Sequence, residues 1–516
     1  MSLRISRRDM LKAGAAGVAT SIVPMTPAFG MAKKGGRLRV GTSGANTSDS
    51  WDGRTHSDLY MQMAAHGCVF DCLTEVDANG NLVGELAESW DASADAKTWT
   101  FNLRKGVTFH NGKAFGADDV IESLNIHTAE GAKSAAKPIV ASISDMKKIN
   151  DHQIQLSLDK GNADFPFLLS DYHILIYPAG MIDEAIAKGI GTGLYEVVSF
   201  DPGVRLVTKR YANHYKGDAA GHFDEVEIIA INDGSARMNA LMTGQVDVVS
   251  RVDFKTEPLI KANPNTEIFE RTGNQHFTFP MLSKTPPFDD NNVRMAIKHA
   301  FNRQELVDKI LLGHGAVAND HPIGPANQYF HKELPQTEYD PDKAKHFLSK
   351  SGLSSIDLEL SASDAAFVGA VNASQLIQNS AKGCNININV TQEPADGYWS
   401  NVWLKKSWCA CFWSGRATED WMFSTAYEAG VPWNDTQWDH ARFQELLYSG
   451  RAELDTTKRR QIYYDMQEIL NQEGGVVVPL YANWVDAKSS KLANSGDIGN
   501  VWAMDNARIC ERWWFA

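Results

Sequence analysis

The chain has 516 residues, of which 43% are hydrophobic and 22% charged. That is a globular composition, and the length exceeds one ordinary core, so two or three domains are expected. A formal charge of −13 makes nucleic acid a poor partner and favours solubility without indicating a ligand.

The N-terminus carries Ser6-Arg7-Arg8-Asp9-Met10-Leu11-Lys12, then an Ala/Gly-rich apolar run over 13–23 and small residues around 28–32. A basic segment, an apolar segment and a small-residue cleavage zone make up an export signal. The paired arginines resemble a twin-arginine signal, with Met10 where Phe is usual. The apolar run is too short and too rich in glycine for a good membrane span, and no cysteine at the cleavage zone offers a lipid anchor. Residues 1–32 are therefore expected to be removed, which takes away four basic residues and one acidic one and leaves −16. The mature protein is expected in the periplasm.

Residues 37–42 read as a first strand running into a polar loop, 43–51. A helical pattern over 57–73 follows. It contains His66, Cys68 and Cys72, which read as core residues ahead of a metal site. Residues 76–82 hold Asn79-Gly80, a hairpin signal. Trp99-Thr100-Phe101-Asn102-Leu103 alternates apolar and polar, as a half-buried strand does. Asn111-Gly112 is a turn pair, and Ala117-Asp118-Asp119-Val120 opens a helix whose positive end suits the two acidic residues. Residues 149–158 are a strand pair about Asp151-His152, and 165–170 are an apolar patch. Gly191-Thr192-Gly193 lacks the Lys-Ser/Thr of a phosphate loop and opens a strand, so its glycines are read as architecture that permits a tight backbone. Strands are expected over 204–209 and 223–231, and a helix from Ala236 ending at Gly244. Asp290 to Asn292 cap a helix that runs through Val293, Ala296, Ile297 and Ala300. Residues 451–470 read as one long amphipathic helix and 476–481 as a strand. The six cysteines, Cys68, Cys72, Cys384, Cys409, Cys411 and Cys510, are permitted disulfides by the compartment but not forced into them by spacing.

Several of these stretches together resemble the family 5 extracellular solute-binding proteins, the dipeptide-, oligopeptide- and nickel-binding receptors of ABC importers. The resemblance is carried by Leu86-Ala87-Glu88-Ser89-Trp90, Trp99-Thr100-Phe101, Leu103-Arg104, Gly106-Val107, Phe109-His110-Asn111-Gly112 and Ala117-Asp118-Asp119-Val120. Further along, Gly191-Thr192-Gly193-Leu194-Tyr195 resembles the family's GTGPY, with Leu194 in place of Pro. Residues 236–248, 286–303 and 476–481 match later family motifs, so the resemblance covers essentially the whole mature chain.

It implies an α/β, periplasmic-binding-protein-like two-lobed (Venus-flytrap) fold with an extra subdomain in the first lobe. The expected boundaries are 33–70, 191–272 and 485–516 for lobe I, 71–190 for the extra subdomain and 273–484 for lobe II. It also implies a small solute and the permease subunits of an ABC importer as partners, no cofactor, no bound metal and a monomer.

The stretch most informative about the ligand is 393–438, which holds seven of the fourteen tryptophans. Large aromatics wall an apolar pocket or stack on a cation, although most of these seven are expected in the core. Cys409 to Trp413 reads as a buried strand and Ser414-Gly415-Arg416-Ala417-Thr418-Glu419-Asp420-Trp421 as the loop after it. In the peptide receptors, the resemblance places an Asp that pairs with the peptide ammonium where Arg416 stands here. A guanidinium suits a carboxylate or another oxyanion instead. The candidate ligand-binding residues are Arg416, Trp413, Ser414, Gly415, Glu419, Asp420, Tyr398 and Trp399, with Asn46 and Thr47 from the opposite lobe. Glu419 and Asp420 serve either a cationic end of the ligand or an internal ion pair with Arg416, and the two readings are even.

No Gly-x-Ser-x-Gly, His-Glu-x-x-His or Ser-x-x-Lys with Lys-Thr-Gly is present, so a binding protein is expected ahead of a periplasmic enzyme. A carrier of a nickel chelate or haem is the alternative within the fold. The scattered histidines, without a ligand-spaced cluster, rank it below an organic solute.

Overall fold

The computed structural model describes residues 32–56, 58–394 and 398–516, so the expected export signal lies outside the described residues. The first strand, β1 (Arg37–Thr42), buries Leu38 and Val40 completely. After the polar loop the helix is Leu59–Ala65, shorter than the 57–73 expected. Gly67, at φ +78°, turns the chain out of the helix, in a conformation that costs glycine little. Cys68 and Cys72 follow in non-helical chain, fully buried among Leu38, Val40, Tyr60 and Phe70. All six cysteines are buried free thiols.

β2 (Thr74–Val76) and β3 (Leu82–Gly84) form the hairpin around Gly80. A four-stranded antiparallel sheet comes next, built from β4 (Ala87–Ala92), β5 (Thr98–Leu103), β6 (Ile143–Asn150) and β7 (Gln153–Leu158) in spatial order β4-β5-β7-β6. Alternation decides its inner face: Trp99, Phe101 and Leu103 of β5 are buried with Ile154, Leu156 and Leu158 of β7. The helix Ala117–Asn125 closes this core, and the Asp119 carboxylate accepts from the Gly116 N–H at its start (2.8 Å).

The chain leaves this sheet through Gly191 and Gly193. Neither has a positive φ. A Cβ on Gly191 would overlap the carbonyl oxygen of Val69, and one on Gly193 that of Cys68, so close backbone approach is what requires glycine there. β8 (Tyr195–Asp201), β9 (Arg205–Arg210) and β10 (Glu225–Ala230) form a meander. β10 lies parallel to β1, and β11 (Val248–Val249) is parallel on the other side of β1.

β12 (Thr266–Pro280) is 15 residues long. β13 (Gly315–Val317) follows, then β14 (Ile356–Ala362) and β15 (Ile386–Gln392), a parallel pair joined through the helix Ala370–Lys382. β16 (Cys411–Ser414) pairs with β12, and β17 (Val476–Ser489) runs antiparallel to β12 over most of its length. The result is a nine-stranded mixed sheet in the order β16-β12-β17-β11-β1-β10-β9-β8, with β13 on β17. β12 and β17 cross between cores. Phe269 packs with the core around β1, whereas Phe277, Phe279, Val477 and Leu480 pack with the core under β14 and β15. Between these ends the register shifts at Thr272/Gln275.

Two further expected elements differ. Residues 451–470 fall in two helices, Ala441–Ala452 and Thr456–Glu473, because the Asp455 carboxylate accepts from the Thr457 and Lys458 N–H groups (2.9 and 3.0 Å) and starts a new helix. The loop after β16 ends at Thr418, whose hydroxyl caps the helix Glu419–Ala426. Glu419 and Asp420 therefore stand in the first turn of a helix, not in a loop.

Candidate functional site

Gly415 follows β16 directly and lies so close to Asn274 of β12 that a Cβ would overlap the Asn274 backbone oxygen. This seats the next residue. The backbone carbonyl of Arg416 accepts from the side-chain amides of Asn274 (3.1 Å) and Asn327 (3.3 Å). The guanidinium turns back so that Nη1 donates to the carbonyls of Ser414 and Gly415, both at 3.0 Å. Its carbon lies 6.0 Å from the Trp413 ring centre and 5.7 Å from that of Trp421. Among the described residues no carboxylate comes within ion-pair distance, and Nε and Nη2 have no protein acceptor.

Burial lowers the Arg416 pKa below its ordinary value, and only the more distant Tyr172 and Asp171 act against that. Asp171 is occupied: its carboxylate accepts from the His173 backbone N–H (2.9 Å) and lies 2.6 Å from Nδ1 of the same ring. His276 on β12 is wholly buried. Burial, with the Arg416 charge acting in the same direction, pushes it down to about 4, so it is neutral at pH 7.

Neither carboxylate that follows Arg416 in sequence pairs with it. Glu419 accepts from the Tyr329 backbone N–H (2.8 Å), and burial raises it to about 7. Asp420 takes Nε of Arg451 at 3.0 and 3.1 Å, while Nη2 of Arg451 reaches Glu428 (3.1 Å). The internal ion pair that the sequence allowed for Arg416 is therefore not formed with either residue.

Residues 81–435 match the model of the bacterial extracellular solute-binding proteins, family 5 (middle part). The chain belongs to this family. It is 27% identical to haem-binding protein A of Haemophilus influenzae over 52% of this chain, spanning about half (53%) of that protein's length. It is 26% identical to di/tripeptide-binding protein 1 of Pseudomonas aeruginosa over 80% of this chain and 82% of that one. Among solved structures it resembles HbpA2 of Haemophilus parasuis (TM-score 0.79, 20% identity, 89% of this chain and 96% of that one). It also resembles DppA of Helicobacter pylori in complex with a peptide (TM-score 0.76, 21% identity, 93% and 98%). The family 5 receptor thus has the two-lobed α/β fold of periplasmic binding proteins. It binds a small solute and serves an ABC importer. No helix among the described residues is long and apolar enough to cross a membrane.

The other expected site residues are spread out. Trp399 is 40% exposed and stands edge-on to Trp403 at 5.8 Å. Tyr398 is buried and donates its hydroxyl to the Ala410 carbonyl (2.8 Å). Asn46 and Thr47 sit on an exposed turn against Gly203, and their bonds do not reach the Arg416 group. Of the seven clustered tryptophans, Trp408, Trp413 and Trp438 are buried in the core and the half-buried Trp403 and Trp421 pack against it, so the majority pack in the core as expected, while Trp399 and Trp433 are exposed. Sequence reasoning missed Asn274, Asn327, His276 and the segment Asp171-Tyr172-His173. The one available signal was a polar triplet closing the apolar run at 165–170.

Trp403 and Trp413 both donate their indole N–H groups to Asp435 Oδ2, at 3.1 and 3.3 Å. Burial raises Asp435 to about 6, against 3.8 for a free aspartate. The folded protein therefore holds this proton more tightly than the unfolded chain. The stability Asp435 contributes is fullest below the unfolded value and falls as pH rises through about 6. The expected result is a change in tryptophan fluorescence with a midpoint near pH 6 that Asp435→Asn removes; a titration unchanged by the substitution would assign it elsewhere.

Two groups of potential metal ligands come together in the core around β1. The ligand atoms of His66, Cys72 and Glu85, and those of Glu75, Glu85 and Glu511, lie within 4.8 Å of one another in each group. Protein cations already fill the space between them. Arg508 Nη1 is 2.7 Å from Glu85 and 2.6 Å from Glu511, Arg508 Nη2 is 3.0 Å from His66 Nε2, and Lys216 reaches Glu75 at 2.8 Å. A metal ion would have to displace these charges, so the donor set does not fit one.

Proposed function

We propose that this receptor captures a small organic solute by an anionic group that Arg416 grips, with Trp413 beside it. The observation that carries the reading is the free Nε–Nη2 edge of a half-buried guanidinium, the edge that takes a carboxylate in bidentate fashion. The carbonyls of Ser414 and Gly415 aim it by holding Nη1. Glu419 and Asp420 hold the helix behind it, and Asn46, Thr47, Tyr398 and Trp399 are secondary candidates for contact.

The lobes we propose are 33–70 with 191–272 and 485–516, the inserted 71–190, and 273–484. The register shift at Thr272/Gln275 and the change of core along β12 support the last boundary. Ser6 to Lys12 support export by the twin-arginine route, and the exported receptor is proposed to act as a periplasmic monomer.

The test is thermal unfolding of the mature protein against peptides, opine-like conjugates, small carboxylates, quaternary amines, hemin and a nickel–histidine complex. A ligand at about 100 times its dissociation constant adds roughly 2.7 kcal/mol. Arg416→Met should then cost about 2–5 kcal/mol of binding, thirtyfold or more in affinity. Full affinity in that variant removes Arg416 from the site.

A further inference from the structure

β12 and β17 carry the chain from one core to the other, and one side chain ties the two sides together next to that crossing. His314 stands in the turn between the helix Arg303–Ile310 and β13. Leu312 and Gly313, at φ +50° and +89°, turn the chain there, and the Asn483 N–H of β17 donates to the His314 carbonyl (3.1 Å). On either side of the turn, Leu311 and Val317 pack with the core under β14 and β15. The buried ring reaches the other way. Nε2 is 3.0 Å from Glu257 Oε2, on the helix Glu257–Ala262, and Nδ1 is 3.0 Å from Glu270 Oε2, on β12. The face of the ring stacks on Phe254 at 4.6 Å and 25°. Phe254 packs against a different core, the one that holds Val249 of β11, Ile260 and Val485.

The bonding decides the charge of the ring. The second oxygen of each carboxylate is already taken: Glu257 Oε1 pairs with Lys261, and Glu270 Oε1 accepts from the side-chain amide of Asn483. Arg271 Nη1 donates to the Glu270 backbone carbonyl (2.7 Å). An ionised carboxylate only accepts, so both ring nitrogens must carry a proton for both contacts to be hydrogen bonds, and only the imidazolium has two N–H groups. The negative face of the Phe254 ring favours a cation as well. Burial works against the charge on His314, but the bonds to Glu257 and Glu270 prevail and hold it above its ordinary value of 6.5. Burial also works against the charge on Glu257, and the bonds from Lys261 and His314 hold it below its ordinary value. The contribution of His314 is therefore complete below the ordinary value and is lost as pH rises through the higher folded one. A neutral ring offers one N–H and one lone pair, so one of the two carboxylates then faces a lone pair and is repelled.

We propose that His314 is a pH-operated latch on the hinge: as an imidazolium it ties the helix Glu257–Ala262 and β12 to the turn before β13 and stiffens the passage of β12 and β17 between the lobes, and loss of its proton loosens that passage. This rests on the lobe boundary proposed at 272/273 and is independent of what Arg416 binds. A two-lobed receptor closes by bending a few residues in the segments that connect its lobes, so the latch makes the ease of that bending a function of pH.

The experiment is amide hydrogen exchange of the unliganded mature receptor between about pH 5 and pH 9, read by mass spectrometry and corrected for the intrinsic exchange rate at each pH. Peptides that cover 268–275 and 481–486 should lose about tenfold in protection as His314 gives up its proton, with a midpoint above the ordinary histidine value, while peptides from the four-stranded sheet stay as they are. His314→Gln should show one level of protection at every pH. Glu257→Gln, which keeps the ring and its packing, should move the midpoint down. Protection at the crossing that does not change with pH, or that changes with the same midpoint in His314→Gln or in Glu257→Gln, overturns the latch. So does an equal change in every peptide, which would assign the pH dependence to the fold as a whole.

Discussion

Arg508→Met is expected to destabilise the receptor by about 3–5 kcal/mol, the cost of removing one partner from a buried charge cluster. Arg508 is 1% exposed and Glu85 not at all. The cluster sets three cations, Arg508, Arg512 and Lys216, among the carboxyl groups of Glu75, Glu85, Glu511 and Asp505, of which burial raises Glu85 to about 8. Arg512 Nη2 is 2.7 Å from Glu75, and Arg508 bridges Glu85 and Glu511. Without Arg508 one carboxylate is left uncompensated, and the His66 Nε2 that faces the guanidinium loses its neighbour. Methionine fills a similar volume, so the loss is electrostatic and not a cavity. Guanidinium unfolding followed by tryptophan fluorescence measures it, and Arg508→Met with Glu85→Gln should recover part of the loss. A single variant within 1 kcal/mol of the parent would mean that water or rearrangement screens the cluster.

The second large effect lies where the four-stranded unit touches the helices Ala441–Ala452 and Thr456–Glu473. Asp164 Oδ1 accepts from Arg459 Nη1 at 2.6 Å, with side-chain exposures of 5% and 9%. Next to it the Ala163 N–H donates to the Arg451 carbonyl (2.6 Å), and Lys160 sits over the Tyr448 ring at 5.2 Å. Asp164→Asn leaves Arg459 with the Gly450 carbonyl and the Tyr463 hydroxyl but no counter-charge. The expected cost is about 3 kcal/mol, at the lower end for a broken buried pair. A double-mutant cycle with Arg459→Met isolates the interaction. A coupling energy near zero would show that the two charges do not meet in solution.

Local features of the chain carried much of the reading. Alternation in Trp99 to Leu103 gave β5 its inner face without reference to anything distant, and Gly80 and Gly112 mark turns at positive φ as their sequence pairs required. The glycines at 191 and 193 were legible as architecture, though the reason is the proximity of the Val69 and Cys68 carbonyls and not conformational freedom. The long helix expected over 451–470 missed a cap at Asp455 that only hydrogen-bond geometry distinguishes from an ordinary helical aspartate.

The sequence by itself determined the family and the strand and turn that present Arg416. These depend on residue type and order along a short stretch. Tertiary structure alone decided which charges meet. Asp420 went to Arg451 and Glu419 to a backbone N–H, which left the Arg416 fork open. The physical reason is that a buried polar group must take whatever partner packing brings within bonding distance, and that partner is set by how the strands and helices pack, which no local pattern encodes.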